Sequence, residues 1–75
     1  MDPVETVKLA RIRRLAETGA ARSIRLAAML TLPEMAGDLG VAVSTLWRWE
    51  AGQRKPRGDA AIRYADLLDQ LIRDG

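Results

Sequence analysis

The side chains best suited to chemistry in this sequence are hydroxyl and cationic groups concentrated between residues 40 and 58. Six of them fall in this segment: Ser44, Thr45, Arg48, Arg54, Lys55 and Arg57. Such groups donate hydrogen bonds to the edges of bases and to phosphate oxygens. The segment therefore predicts recognition of a polyanion by charge and hydrogen bonds rather than the making or breaking of covalent bonds.

The residue types that are missing exclude several kinds of site. The chain has no cysteine, which rules out disulfides and thiolate metal sites, and no histidine, the commonest metal ligand and general base. It has no glycine-rich phosphate loop and no carboxylate pair in a recognisable catalytic setting. We therefore expect no enzyme activity, no metal and no cofactor.

The charges are distributed unevenly along the chain. Residues 1–25 carry six cations against three carboxylates, and residues 40–58 carry four cations against Glu50 alone, so each segment has a net charge of +3. Residues 59–75 carry four aspartates against two arginines and have a net charge of −2. This asymmetry suits a nucleic-acid-binding face on one side of the molecule, although a solvated mixed surface has the same composition.

The length of 75 residues allows one small domain, and no stretch alternates long enough to predict a strand. We expect an all-α compact bundle of four to five helices that uses residues 1–75 as a single domain. No apolar run approaches the ~20 residues of a membrane-spanning helix, and none has the form of a signal peptide. The expected location is therefore the cytoplasm, in association with the nucleoid.

The first predicted helix covers residues 3–18. Asp2 can cap its start, and Gly19 can end it because glycine accepts a left-handed conformation. Its predicted apolar face consists of Val4, Val7, Ile12 and Leu15. Its basic face consists of Lys8, Arg11, Arg13 and Arg14. Two interpretations of the basic face remain open, an arm that reaches DNA and a solvated surface.

Four further helices follow from caps and periodicity. They are predicted over residues 20–29, about 32–39, about 42–51 and 60–73. Thr31 and Glu34 form a capping box at the start of the helix 32–39, and Gly40 and Gly52 end two of the helices. Asp59 is the predicted cap of the last helix.

The two helices that meet at Gly40 predict a helix-turn-helix. Helices joined by so short a turn cross steeply, and the small side chain of Ala36 permits a close approach. At about 100° per residue, Leu46 and Trp49 point to the inner side of the second helix. The outer face then carries Val43, Ser44, Trp47 and Arg48. We expect these four residues to read DNA bases, because hydroxyl, guanidinium and methyl groups match the edges exposed in the major groove.

The segment from Thr31 to Pro56 resembles the helix-turn-helix of the lambda-repressor and Cro-like family. Five features carry the resemblance: Ala36 four residues before Gly40, Leu46 six after it, the sequence Glu50-Ala51-Gly52, the basic stretch ending at Pro56, and Arg25 ten residues before Met35. The resemblance covers about residues 20–69 and leaves the basic helix 3–18 as an addition. Leu32 and Ala42 depart from the family, which favours glutamine and a hydroxyl residue at those positions.

The resemblance implies a lambda-repressor-like fold and a set of site residues. It implies an ion pair between Arg25 and Glu50. The residues expected to contact DNA phosphates are Thr31, Leu32, Thr45, Arg54, Lys55 and Arg57, with Leu32 acting through its backbone amide.

The function expected from this resemblance is that of a sequence-specific double-stranded DNA-binding transcription regulator, similar to a phage or bacterial repressor or Cro protein. Its recognition helix would enter the major groove, and it would bind an inverted repeat as a homodimer. The alternative is an antitoxin or excision accessory protein whose main role is to bind a protein partner. In that case the helix 3–18 would be the docking surface.

Overall fold

The computed structural model describes residues 2–75, and these form five helices. They are α1 (Pro3–Thr18), α2 (Ala20–Ala27), α3 (Leu32–Leu39), α4 (Val43–Glu50) and α5 (Gly58–Asp74). No strand occurs within the described residues, so the prediction of an all-α fold is confirmed. None of these helices is long and apolar enough to cross a lipid bilayer.

The helix ends follow local capping chemistry. The Asp2 carboxylate accepts a hydrogen bond from the Glu5 amide at 2.9 Å, and Gly19 ends α1 with φ +85°. At α3, the Thr31 hydroxyl accepts from the Glu34 amide at 3.2 Å, and the Glu34 carboxylate accepts from the Thr31 amide at 2.9 Å. The hydrogen bonds from Thr31 lower the pKa of Glu34. Both helices begin and end where the sequence predicts.

The last helix differs from its prediction. α5 begins at Gly58 rather than at residue 60, and its N-cap is Arg57, which makes no side-chain hydrogen bond to the helix. The expectation that Asp59 caps this helix is therefore wrong. Gly58 has φ +70°, so the chain turns there, and Asp59 lies inside the first turn. A carboxylate in that position is favoured by the positive end of the helix dipole.

The core lies between all five helices. Its twelve buried apolar residues are Ile12, Ala16, Ala21, Met35, Ala36, Leu39, Leu46, Trp49, Ala61, Tyr64, Ala65 and Leu68. Trp49 of α4 stacks on Tyr64 of α5 with 5.4 Å between ring centroids. α1 therefore contributes to the same core as the helix-turn-helix and packs against α5.

The apolar face of α1 is only partly as predicted. Ile12 is buried, but Val4 and Val7 are 63% and 65% exposed. The buried stripe follows Leu9, Ile12 and Ala16, which are spaced three and four residues apart. Val7 lies five residues from Ile12 and so points away from this stripe.

Candidate nucleic-acid interface

The turn between α3 and α4 sets the orientation of the candidate site. Gly40 adopts a left-handed conformation with φ +71°, and the Val41 amide donates to the Ala36 carbonyl at 3.0 Å. Ala36 is buried at the contact between the two helices. On the other side of the turn, the Arg63 guanidinium donates to the Leu39 carbonyl at 3.0 Å and ties α5 to the end of α3. The turn thus sets the direction of α4 relative to α3, and α5 holds the end of α3 in place.

The inner face of α4 is anchored by a buried ion pair. Arg25 Nε donates to Glu50 Oε2 at 2.6 Å, and its Nη2 donates to Oε1 at 3.0 Å. The third guanidinium nitrogen donates to the Leu30 carbonyl at 2.8 Å. The hydrogen bond to Glu50 raises the pKa of Arg25. The two residues that the resemblance pairs thus connect α2, the segment after it and the end of α4.

The outer face of α4 meets solvent. Ser44 is exposed, Val43 and Trp47 are 42% and 49% exposed, and Arg48 is partly exposed. Ala42, at the N-cap, provides no side-chain hydrogen bond. The four residues predicted to read bases thus share the accessible side of one short helix, in a width that a major groove admits.

One flank of α4 forms a cleft that we call the cationic cleft. It has a volume of about 650 Å³. Its lining residues are Arg13, Thr45, Trp49, Arg54, Lys55 and Arg57. Four of the six are cations and none is a carboxylate, so the local field favours an anion. The structure therefore brings Thr45 together with the three cations of the loop that follows α4.

The other flank of α4 carries a smaller depression of about 250 Å³. It is lined by Arg22, Trp47, Glu50 and Ala51. Arg22 is exposed and lines this depression together with Trp47. Sequence reasoning did not assign Arg22 to the site, although a signal exists. Arg22 precedes Arg25 by three residues, so the two share one face of α2, and Arg25 is the residue paired with α4.

Thr31 and Leu32 lie apart from the cationic cleft, at the N-terminus of α3. The Thr31 hydroxyl is held by Glu34, to which it also donates at 2.9 Å, and Leu32 is half-buried. Neither residue lines the cationic cleft. The predicted phosphate contacts thus form two groups, one at the start of α3 and one beside α4.

Arg13 is the residue of this surface that the predicted set of phosphate contacts omits. Its Nε donates to the Pro56 carbonyl at 2.9 Å, which brings a side chain of α1 to the loop after α4. The sequence shows that α1 is basic, but only the packing of α1 shows which of its cations faces this loop.

Among residues 2–75, no group of carboxylates is arranged to hold a metal ion.

Comparison with known proteins places the chain in a family. A model described as a helix-turn-helix domain matches residues 9–71, from the middle of α1 to near the end of α5. No curated protein and no solved structure gave a significant match. The matched range includes the outer face of α4 and the cationic cleft, and the match supports DNA binding by this chain. The chain belongs to the helix-turn-helix domain family.

Proposed function

We propose that this protein is a sequence-specific regulator of transcription of the repressor and Cro-like kind, and that α4 enters the major groove of double-stranded DNA. One observation carries the proposal. The solvent-facing side of α4 combines hydrogen-bonding, aromatic and apolar groups, and a cleft with four cations and no carboxylate flanks it. Base reading needs the first feature, and attachment to the phosphate backbone needs the second.

Base reading is assigned to the outer face of α4. Arg48 is suited to a two-point contact with guanine, and Ser44 can donate to or accept from a base edge. Val43 can pack on a thymine methyl group. Trp47, with half of its surface exposed, offers a flat apolar contact at the edge of this face.

Phosphate binding is assigned to the two groups of residues on either side of the reading face. Thr45, Arg54, Lys55 and Arg57 would hold one stretch of backbone. Thr31 and the backbone amide of Leu32 would hold another, since the N-terminus of a helix favours an anion. Such contacts position the protein on the duplex and do not distinguish sequences.

A homodimer is part of the proposal. An apolar groove of about 460 Å³ runs between the ends of α2 and α5, with Ile24, Ala28 and Leu71 in its lining. Ile72 in its lining is half exposed, and Met29, which follows Ala28 in the chain, is 89% exposed. These features support a contact with a second copy. Two copies would place two α4 helices in successive major grooves, about 34 Å apart.

A selection from random duplex DNA at two salt concentrations tests the proposal. We expect enrichment of an inverted repeat that persists at the higher salt concentration, because base contacts are less sensitive to salt than phosphate contacts. The Arg48→Ala variant should select a repeat that is degenerate at one base pair in each half. Arg73→Ala, which removes an exposed arginine at the far end of α5, is the matched control. Binding without enrichment would contradict sequence-specific regulation.

A further inference from the structure

The cations of α1 fall into two groups according to their partners. Lys8 Nζ lies 2.8 Å from an Asp66 oxygen, and Arg11 lies 2.5 Å from an Asp69 oxygen, so α5 neutralises both. Arg13 has no carboxylate within ion-pair distance among residues 2–75. Arg13 therefore forms no ion pair within these residues, unlike Lys8 and Arg11 on the same helix.

The side chain of Arg13 is held in place by the loop after α4. The hydrogen bond from Nε to the Pro56 carbonyl uses one edge of the guanidinium, and Pro56 itself is fully buried. The side chain of Arg13 is partly buried. Its two terminal nitrogens make no hydrogen bond within the described part of the chain. A guanidinium fixed on one side presents its remaining donors in a geometry that matches a phosphate.

Arg13 faces the cationic cleft together with three cations of the loop, Arg54, Lys55 and Arg57. Glu17 lines an adjoining depression with Arg13, Arg54 and Lys55 but does not line the cleft itself. Four cations around one cleft repel each other, and an anion between them relieves that repulsion. Thr45 of α4 lines the same cleft, so an anion bound there lies directly beside the reading face.

We propose that Arg13 donates to a phosphate of the DNA backbone, so that α1, which is not part of the helix-turn-helix, completes a phosphate-binding cleft beside α4. This inference rests on the proposed function and adds to it a backbone contact made by the N-terminal helix. It also resolves the two interpretations of the basic face of α1. Of the cations predicted to form an arm, Arg13 alone lines the cleft, and Lys8 and Arg11 are engaged by α5.

The test measures duplex affinity against salt concentration for the wild type, Arg13→Gln and Arg14→Gln. Arg14 is exposed on the same helix and does not line the cleft, so its variant is the matched control for loss of charge. Loss of one phosphate contact lowers the slope of log affinity against log salt by about 0.9. We expect this change for Arg13→Gln, with about tenfold weaker binding near 0.1 M salt on every sequence. Arg13→Lys should keep the wild-type slope because it keeps the charge.

Three outcomes would overturn the inference. An unchanged slope with weaker binding would make Arg13 only a support for the loop. If Arg13→Gln weakened duplex binding no more than Arg14→Gln does, Arg13 would contribute only a general positive charge and no specific phosphate contact. Failure of the wild type to bind any duplex at low salt would instead overturn the proposed function, and the Arg13 contact with it. A second measurement needs no variant: the Arg13 side-chain NMR signal of the wild type should shift on addition of a short duplex and stay unshifted if the inference is wrong.

Discussion

The two sides of α4 differ in whether their charged residues form ion pairs. On the inner side, Glu50 and Arg25 are almost completely buried and satisfy each other with two hydrogen bonds. On the outer side, Arg48 is partly exposed to solvent and forms no ion pair within the described residues, and no carboxylate lines the adjacent cationic cleft. One side of the helix thus has paired charges that hold the fold, and the other side has unpaired charges that are available to a partner.

Arginine occurs on both sides of α4, and its burial determines whether it stabilises the fold or is available to bind a partner. A buried arginine without its carboxylate is costly, because the desolvated charge has nothing to compensate it. An exposed arginine without a carboxylate costs little, because water solvates it, and it gains when a phosphate arrives. Changes on the inner side should therefore alter stability, and changes on the outer side should alter binding.

The largest effect is expected on the inner side, from Glu50→Ala. This variant leaves Arg25 buried without a partner and should lower the free energy of unfolding by about 3–5 kcal/mol. Urea denaturation followed by tryptophan fluorescence measures it. The double variant Arg25→Met/Glu50→Leu removes both charges and should retain most of the stability. A loss below about 1 kcal/mol for Glu50→Ala, the size expected of an exposed pair, would contradict the contrast between the two sides.

On the outer side, Arg48→Ala should change recognition and leave stability as it was. Loss of a two-point contact with guanine should reduce discrimination at one base pair by about 1–3 kcal/mol. Competition between the selected sequence and its single-base variants measures this. Equal weakening on every sequence would show that Arg48 binds a phosphate rather than a base.

Tyr64 of α5, which stacks on Trp49 at the inner side of α4, should remain un-ionised to a pH well above the usual range for tyrosine. Burial raises the pKa of Tyr64 above its ordinary value of 10.0, and the Glu50 charge raises it further. Because the folded pKa is raised, the stabilising contribution is complete below pH 10 and is lost as the pH rises above it. Stability should then fall by about 1.4 kcal/mol per pH unit. Phenolate absorbance measures the titration, since Tyr64 is the single tyrosine.

The Tyr64→Phe variant is the control for that titration. The Tyr64 hydroxyl is buried and has no hydrogen-bond partner within residues 2–75. Its removal should abolish the loss above pH 10 and cost little at neutral pH, because no hydrogen bond is broken. Reversible ionisation near pH 10 in the folded wild type would contradict the prediction.

The smallest effect is expected from Lys8→Gln, which removes a cation that α5 already neutralises. The pair with Asp66 is largely exposed to solvent, so its loss should leave the free energy of unfolding almost unchanged. The salt dependence of DNA binding should stay that of the wild type. A lower slope would show that Lys8 leaves Asp66 to contact DNA and that the paired and unpaired cations of α1 are not distinct.

Local chemistry in the sequence is enough to predict most of the fold. The ends of α1 and α3 follow from the caps at Asp2 and Thr31 and from Gly19 and Gly40. Each of these residues interacts only with backbone groups a few positions away in the chain, so its effect can be predicted from the sequence. The inward placement of Leu46 and Trp49 and the outward placement of Trp47 follow from helical periodicity alone.

Features that depend on how distant helices pack could not be predicted in this way. Residues 1–25 and 40–58 have the same net charge in the sequence, yet α5 supplies aspartates to Lys8 and Arg11 and none to the cationic cleft. The sequence likewise does not show that the covered stripe of α1 is Leu9, Ile12 and Ala16, which leaves Val7 exposed. Arg13 joins the site only because the packing of α1 brings its side chain to the Pro56 carbonyl.

The packing of α1 on α5 also has a consequence for the order of folding during synthesis. About forty residues separate the end of α1 from the start of α5, so α1 emerges from the ribosome before its main partner exists. At ~5–20 residues per second, that gap lasts roughly two to eight seconds. Throughout this interval the apolar stripe of α1 lacks the cover that α5 supplies, and the nascent chain is open to chaperones and proteases. The position of α1, and with it the place of Arg13 in the cationic cleft, is fixed only when the last helix docks.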